Sequence, residues 1–583
     1  MPNDRVIPTA ASPTVGTFTI FSDGNEVSRT YHVLSISVTR ELNRIPTASI
    51  ILLDGEAARE TFEISDKDDF IPGKEIKIQA GYRGEEDTIF EGIVIRHSIK
   101  VRKNSSYLIV DCKDKAVKMT VGLKNKYFAE QKDSDIIEEL IGQHGLDSEV
   151  EATSAEHLQM VQYRSTDWDF ILNRASANGM FIMVENGKVS IQKPDLGQEA
   201  AVTLQYGSSL LELDAEMDAR LQYPAVKMAA WNYTDQELAT SDAQDPNVEL
   251  NGNLSPDDLS QVSGLDAYQL WHSGKLIEPE LQSWADAVLL QSQLAKIRGR
   301  ASCQGNPEIK PGGIVEINGI GDRFQGKVFV SGVRHQIAKG NWEMDIQIGY
   351  DPEDWIPGAT SDPSDLSKQL LPTIQGLHVG IVTQLQEDPE GENRIKVKLP
   401  VISAEDEGIW TRIATLDAGE NRGTFFLPEI GDEVIVGFLD NDPRQAVMLG
   451  MCHSSAKPAP LEASDDNHEK GYVSRSEMKM IFNDDKKTLL LETPGGNKVL
   501  LSDEDQGIVL EDQNGNKITM DSSGIVIESA TELTLKAAQS LTVEGLSVDV
   551  KASTGFKADG GGGCELSAGN GSTVVKGGIV RIN

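Results

Sequence analysis

From about residue 478 to its end, the chain carries short apolar triplets at a spacing that rules out most folds. They are Leu489–Leu491, Val499–Leu501, Ile508–Leu510, Ile518–Met520, Ile525–Ile527, Leu533–Leu535, Leu541–Val543 and Val548–Val550. From the third triplet onward, their starts lie 10, 7, 8, 8 and 7 residues apart. Strand side chains alternate, so the outer two residues of each triplet share one face and the middle one takes the other. Turn formers separate the triplets: Pro494-Gly-Gly-Asn, Gln513-Asn-Gly-Asn and Ser522-Ser-Gly. A single chain needs roughly 20 or more residues to close one coil of a three-sided β-helix. Eight residues cover one face only, so the core stays open unless other copies supply the remaining faces. Three intertwined chains meet this need, with one strand per chain at each level. About a dozen levels at roughly 4.8 Å give a rod about 55–60 Å long, and interwinding removes free strand edges. The expectation is an intertwined triple-stranded β-helix needle over 475–583. Its trimer contacts are assigned to Ile508, Leu510, Ile518, Met520, Ile525, Ile527, Leu533, Leu535, Leu541, Val543, Val548 and Val550. Stiffness is the function such a rod serves.

At 583 residues, the chain is too long for one core. Residues 1 to about 350 read as mixed α and β. In KDSDIIEELIGQHGL, Ser134 can cap a helix, Ile136, Ile137, Leu140 and Ile141 share a face, and Gly145 can end it. STDWDFILNRASANG repeats the pattern with Trp168, Ile171, Leu172 and Ala175, ending at Gly179. A third helix is expected around 281–298, and strands return at Gly313 and Gly326. The acidic stretch 234–263 reads as a long solvated loop between two subdomains. A Pro/Ser/Asp-rich linker leads to 377–455, whose short alternating strands suit a five-stranded barrel of OB type. The fold class is therefore α+β followed by all-β: a hub with β-barrel-like subdomains and helices over 1–360, an OB barrel, and the needle.

Composition narrows the function. Lys and Arg number 54 against 91 Asp and Glu, a net charge of −37. Phosphate recognition needs cations, so nucleic acid is excluded as a partner. The four cysteines, Cys112, Cys303, Cys452 and Cys564, form no CxxC pair, which points to a reducing compartment and against a thiolate zinc site. No secretion signal and no stretch of 18 apolar residues is visible, so the protein must be carried or pushed to any membrane it meets. Cys452-His453 reads as a surface His after a buried Cys rather than half a metal site. Glu85-Glu86 and Asp68-Asp69 lie in polar runs and read as solvated surface rather than a glycosidase pair. Gly560–Gly563 lacks the strand–loop–Lys–helix context of a phosphate cradle and reads as a bulge or flexible break. No catalytic residue, cofactor or metal is assigned.

The barrel segment carries Gly380-Ile-Val, Asp388-Pro, Arg394-Ile-Lys-Val-Lys-Leu-Pro, Trp410-Thr-Arg, Pro428-Glu-Ile-Gly-Asp-Glu-Val-Ile-Val and Asp442-Pro. With the needle repeats, these resemble VgrG-type spike proteins of contractile injection systems. Glu41-Leu-Asn-Arg-Ile-Pro, Phe70-Ile-Pro-Gly, Lys132-Asp-Ser-Asp-Ile-Ile, Met160-Val-Gln-Tyr, Asp167-Trp-Asp-Phe and Gly321-Asp-Arg-Phe-Gln-Gly look like the hub half of that family. The hub stretches sit closest to the extracellular phage-tail-like particles, with type VI secretion systems and phages as the other settings. The resemblance implies a homotrimer made in the bacterial cytoplasm and built into a baseplate. Its hub would meet inner tube and baseplate proteins, and its needle end would carry a PAAR-type tip protein. Cargo effectors would be further passengers, and the membrane would be touched only during puncture. Ile579, Val580 and Ile582 are expected to dock the tip, because the last level of a β-prism leaves strand edges unpaired. The competing readings are a single-chain β-helix polysaccharide-degrading enzyme, which needs a longer repeat, and a tail-fibre adhesin, which needs neither hub nor barrel.

Overall fold

A computed structural model describes residues 15–248, 251–351 and 372–582. Much of the expected linker before the barrel lies outside the described residues. The chain divides into two compact units, Met1–His453 and Ser454–Asn583.

The first unit is mostly β. Its largest sheet has thirteen strands and draws on both ends of the hub sequence. Strand Val33–Glu41 pairs with Gly326–Ala338, placing Ile36 opposite Ile337 and Val38 opposite His335. Strict alternation drives this sheet: in Glu75–Tyr82, Ile76, Ile78 and Ala80 are buried while Glu75, Lys77 and Gln79 face outward. With Ile36, Val38, Ile50, Leu52, Leu108 and Val110, they form one apolar core.

Four α-helices complete the unit among the described residues. Helix α1 (Asp133–Gly142) and helix α2 (Asp167–Ala177) pack Ile136, Ile137, Leu140 and Ile141 against Phe170 and Ile171. Thr166 caps α2 by accepting from the Asp169 N–H at 3.1 Å. Ser134 does not cap α1: the helix starts at Asp133, and the Ser134 N–H donates instead to Thr153 Oγ1 at 3.1 Å. The stretch 234–263 is not one long loop. It contains a strand, Glu237–Asp242, and helix α3 (Pro256–Ser263). The strand is polar because it is an edge, paired on one side with Val226–Asn232. The helix is set by a capping box in which Ser255 and Asp258 satisfy each other's backbone N–H. Helix α4 (Glu278–Leu294) lays Leu281, Trp284 and Val288 on Val226, Met228 and Leu270 of the adjoining sheet.

Five strands close into a barrel in the order His378–Gln384, Ile395–Lys398, Ile409–Ile413, Ala446–Met451, Glu433–Phe438. Val382, Val397, Leu399, Val434, Val436 and Met448 fill it, and the hub's Val161 joins the same cluster. Gln159 ties hub to barrel by accepting from the Trp410 N–H at 2.9 Å and donating to the Arg444 carbonyl at 3.1 Å.

Candidate functional site

The second unit has a different construction. Its backbone forms a seven-stranded antiparallel meander: Glu469–Val473, Lys479–Asn483, Thr488–Glu492, Lys498–Ser502, Gly507–Glu511, Lys517–Asp521 and Gly524–Glu528. Hairpin turns join neighbours, so one chain lays down one continuous face. The one-strand-per-level interwinding expected of these triplets is not the backbone pairing seen here. Up to Glu528, each strand's backbone partners lie in its own chain.

The register sorts the side chains into two faces. Leu489 stands opposite Leu501, which stands opposite Ile508, then Met520 and Ile525. A second column runs Leu491, Val499, Leu510, Ile518 and Ile527. Phe482 and Met480 extend the two columns by one strand. All these positions share one face, because strand side chains alternate. The opposite face carries the middle residues, from Leu490 and Leu500 to Thr519 and Val526, flanked by a ladder of alternating charge. In that ladder, Lys479 opposes Glu492, Glu492 opposes Lys498, and Glu511 lies between Lys498 and Lys517. Lys498 Nζ is 3.1 Å from Glu511 Oε2. One face carries two apolar residues per strand, and the other a single column, mostly apolar, between charged flanks.

Within the second unit, the described residues leave the apolar face open. Among the described residues after His453, Ser502 alone is buried. Ile525 is 68% exposed and Ile527 51%. Leu491, Val499, Leu510, Ile518 and Ile527 line an open trough of about 760 Å³, together with the ladder residues Lys479, Glu492, Lys498, Glu511 and Lys517, with Leu533 at its end. Of the assigned contacts, Ile508, Leu510, Ile518, Met520, Ile525 and Ile527 thus share one face. Leu533, Leu535, Leu541, Val543, Val548 and Val550 lie beyond the last strand, all exposed, in a stretch that makes no strand with its own chain. Ile579, Val580 and Ile582 are exposed there too. Residues 560–563 form a turn closed by the Gly563 N–H donating to the Gly560 carbonyl at 3.1 Å. Sequence reasoning left Met480, Phe482, Leu489, Leu491, Val499 and Leu501 out of the contact set. Their signal was present, since Met480-Ile-Phe482 has the same apolar outer positions.

A second feature, in the first unit, was invisible in the sequence. The barrel meets the hub over buried charge. Arg444 of the barrel binds Asp442 (Nη2–Oδ2, 2.8 Å) and reaches Glu280 on α4 (Nη1–Oε1, 2.7 Å). Arg174 on α2 binds Asp133 at the start of α1 (Nε–Oδ1, 2.7 Å), with Asn178 donating to the same carboxylate at 2.8 Å. His157 lies 3.2 Å from Asp133, and His272 lies 3.4 Å from Asp442, close enough to pair though neither Nε2 is aligned as a hydrogen bond. Burial pushes the Asp133 carboxyl up, but Arg174 and His157 more than offset it and hold it below the ordinary range. Asp442 is likewise held low against its burial by Arg444 and His272. Burial opposes charge on His272, yet Asp442 raises its pKa above the usual value. Removing any one charge would leave another buried without its partner, so the cluster fixes the barrel on the hub.

Cys452 is exposed rather than buried, as is Cys564. Among the described residues, no group of His, Cys, Asp and Glu could hold a metal, and no helix is long and apolar enough to cross a membrane.

Comparison with known families matches three segments. Residues 12–339 match the Alg8 N-terminal domain. Residues 378–453 match the type VI secretion system/phage-baseplate injector OB domain, and residues 488–583 the phage baseplate V C-terminal trimerisation domain. No curated protein matches. Among solved structures, the lidded Francisella PdpA–VgrG complex is similar at TM-score 0.51 and 10% identity, covering 85% of this chain and 80% of that one. The lidless PdpA–VgrG complex gives 0.50 and 10%, over 89% and 99%. The E. coli c3393 protein, a type VI secretion component with structural similarity to the T4 tail proteins gp27 and gp5, gives 0.47 and 14%, over 74% and 99%.

Proposed function

We infer the role of this protein from its family: the chain belongs to the Alg8 N-terminal domain family over more than half its length, and continues into a phage-baseplate injector OB domain and a phage baseplate V trimerisation domain. It is a VgrG-type spike of a contractile injection system. We propose that it acts without catalysis, as a homotrimeric hub and needle that pierces a target envelope when a sheath contracts. The observation that carries this reading is the one-sided sheet of the second unit. Three such sheets, apolar faces inward and charged ladders outward, make a three-sided prism with one strand per chain at each level. The unpaired stretch after Glu528 then supplies the interwound continuation, a triple-stranded β-helix. Such a rod is stiff because its backbone hydrogen bonds are satisfied within the trimer.

The hub over 1–360 would sit on the inner tube and baseplate, and the barrel over 377–455 would form a collar. The chain would be made in a bacterial cytoplasm and assembled into the particle, which the hub stretches suggest is of the released, extracellular kind. At the needle's end, Ile579, Val580 and Ile582 would seat a PAAR-type tip protein.

Light scattering tests the trimer. The expected mass is three times 63.5 kDa, about 190 kDa, and a clean monomer at micromolar concentration overturns the reading. Deleting residues 573–583 should leave the trimer intact and abolish co-purification with the tip. Unchanged tip binding would place the dock elsewhere. Release of reducing sugar or peptide from peptidoglycan, lost on mutating one carboxylate, would overturn the non-catalytic role.

A further inference from the structure

The barrel carries an ordered arm whose apolar side chains have no cover in their own chain. It leaves the strand Ile409–Ile413 and returns at Glu433, folding back as two short strands, Ala418–Gly419 and Arg422–Gly423. The fold-back is tightly held. The Thr424 N–H donates to the Asp417 carbonyl at 2.9 Å, Arg422 Nη1 binds Asp417 Oδ1 at 2.6 Å, and Thr415 and Thr424 join through their hydroxyls. Gly423 sits at φ +127°, where a Cβ would lie 2.3 Å from the Asp417 carbonyl oxygen, so only glycine makes this turn. This arm holds Leu416 98% exposed and Phe425 79% exposed. Leaving such side chains in water while ordering the backbone beneath them makes physical sense when a partner covers them.

The same barrel has a receptive wall. On its outer surface, Val379 pairs with Ile435, and Ile435 with Gly450, next to exposed Leu449 and Met451. Gly437 lies beneath this wall: a Cβ there would come within 3.3 Å of both Leu377 and Leu449, so glycine lets the two leucines close over the strand as one apolar patch. Leu377, Leu449 and Met451 stay exposed although Leu416 and Phe425 belong to the same barrel. The arm therefore does not fold onto its own wall.

We propose that the arm of one copy docks on the barrel wall of the next, Leu416 and Phe425 against Leu377, Leu449 and Met451. The occupant is a second copy of this chain, and the proposal rests on the trimeric reading above. Three-fold rings need heterologous contacts, in which each copy offers two different surfaces; the barrel offers an apolar arm and an apolar wall. Fifteen residues, 454–468, separate the barrel unit from the first strand of the trimerising sheet, a reach of at most about 50 Å. Three barrels so tethered sit at an effective concentration around the millimolar range, where a small contact is enough to close the ring.

Cross-linking the full chain tests this. Cys452 and Cys564 are first replaced by Ser; Cys112 and Cys303 can stay, since burial pushes both thiols up to about 12. Phe425→Cys and Leu449→Cys are then introduced singly and together, and a short bis-maleimide is added. The double variant should yield about ten-fold more covalent trimer than either single variant. Adding Leu377→Glu, at an exposed position of the wall, should abolish that yield while light scattering still reads a trimer. A trimer that gives no excess cross-linking, or a cross-link confined within one chain, overturns the arm contact alone. A monomer overturns the trimeric reading and the arm contact with it.

Discussion

The two units of this chain solve the same problem in opposite ways. The first buries Ile, Leu, Val and Phe in six clusters of its own and even encloses ion pairs such as Asp133–Arg174 and Asp442–Arg444. The second has an equally regular sheet and almost no interior, with Ser502 its sole buried residue among those described. The difference lies in geometry rather than in hydrophobicity. A hub strand faces another layer of its own chain, whereas a strand such as Gly524–Glu528 has apolar residues on one side and nothing of its own to lay them on. A self-sufficient unit can tolerate surface change; a unit that is one third of a core cannot.

That contrast predicts its largest effect at Ile527. In the proposed prism, Ile527→Asp would place a carboxylate in each of the three faces, and each unpaired buried charge costs several kcal/mol. Trimer should vanish in light scattering while the hub's near-ultraviolet circular dichroism stays unchanged. A trimer that survives Ile527→Asp would put this face in solvent and break the contrast.

The reverse should hold at the hub–barrel joint. Arg444→Ala leaves Asp442 and Glu280 buried without their cation, a loss of about 3–5 kcal/mol from the first unit. Calorimetry should show the hub transition moving down by several degrees with the needle transition in place. Equal shifts in both would mean that the units unfold as one.

A pH scan sharpens the same point. Asp442 raises the pKa of His272, so this group's contribution is complete below about pH 6.5 and is lost as pH rises through its raised folded value. Asp133 and Asp442 carry the opposite sign: their contributions are present above the ordinary carboxylate value of 3.8 and are lost as pH falls through their lowered folded values. The hub transition should therefore weaken on both sides of a mildly acidic optimum. His272→Gln should flatten the alkaline side only, and an unchanged profile in that variant would exclude His272 as the source.

How far the sequence reveals these features depends on how local they are. The triplets from Leu489 to Ile527 were legible because a strand writes its period into adjacent residues, and helix α2 because Trp168, Ile171, Leu172 and Ala175 repeat along one face. The strand Glu237–Asp242 was missed because an edge strand can be mostly polar, here with only Leu238 and Ala239 apolar, its pairing supplied by Val226–Asn232. The meander's hairpins were hidden because an eight-residue repeat fits both a turn back within one chain and a step to the next. The joint was out of reach altogether. Asp133, Arg174, Glu280 and Arg444 lie on four separate elements, and only the fold brings them together.

The smallest expected effect decides which face of the needle is wet. Lys498 and Glu511 are about one-third exposed in the single chain and pair across adjacent strands at 3.1 Å. On the outside of a prism, such a pair contributes about 0.5 kcal/mol or less, screened by salt. Lys498→Gln should therefore lower the trimer's unfolding midpoint slightly in dilute buffer, and the difference should fade at 1 M salt. Leu510→Gln, on the adjoining strand but the opposite face, should cost far more and show no such salt dependence, because it puts an amide into an apolar interior. The ratio of the two effects matters more than either value. If Lys498→Gln proved the costlier change, the ladder would be inside and the two apolar columns outside, and the prism would have to be rebuilt with its faces exchanged.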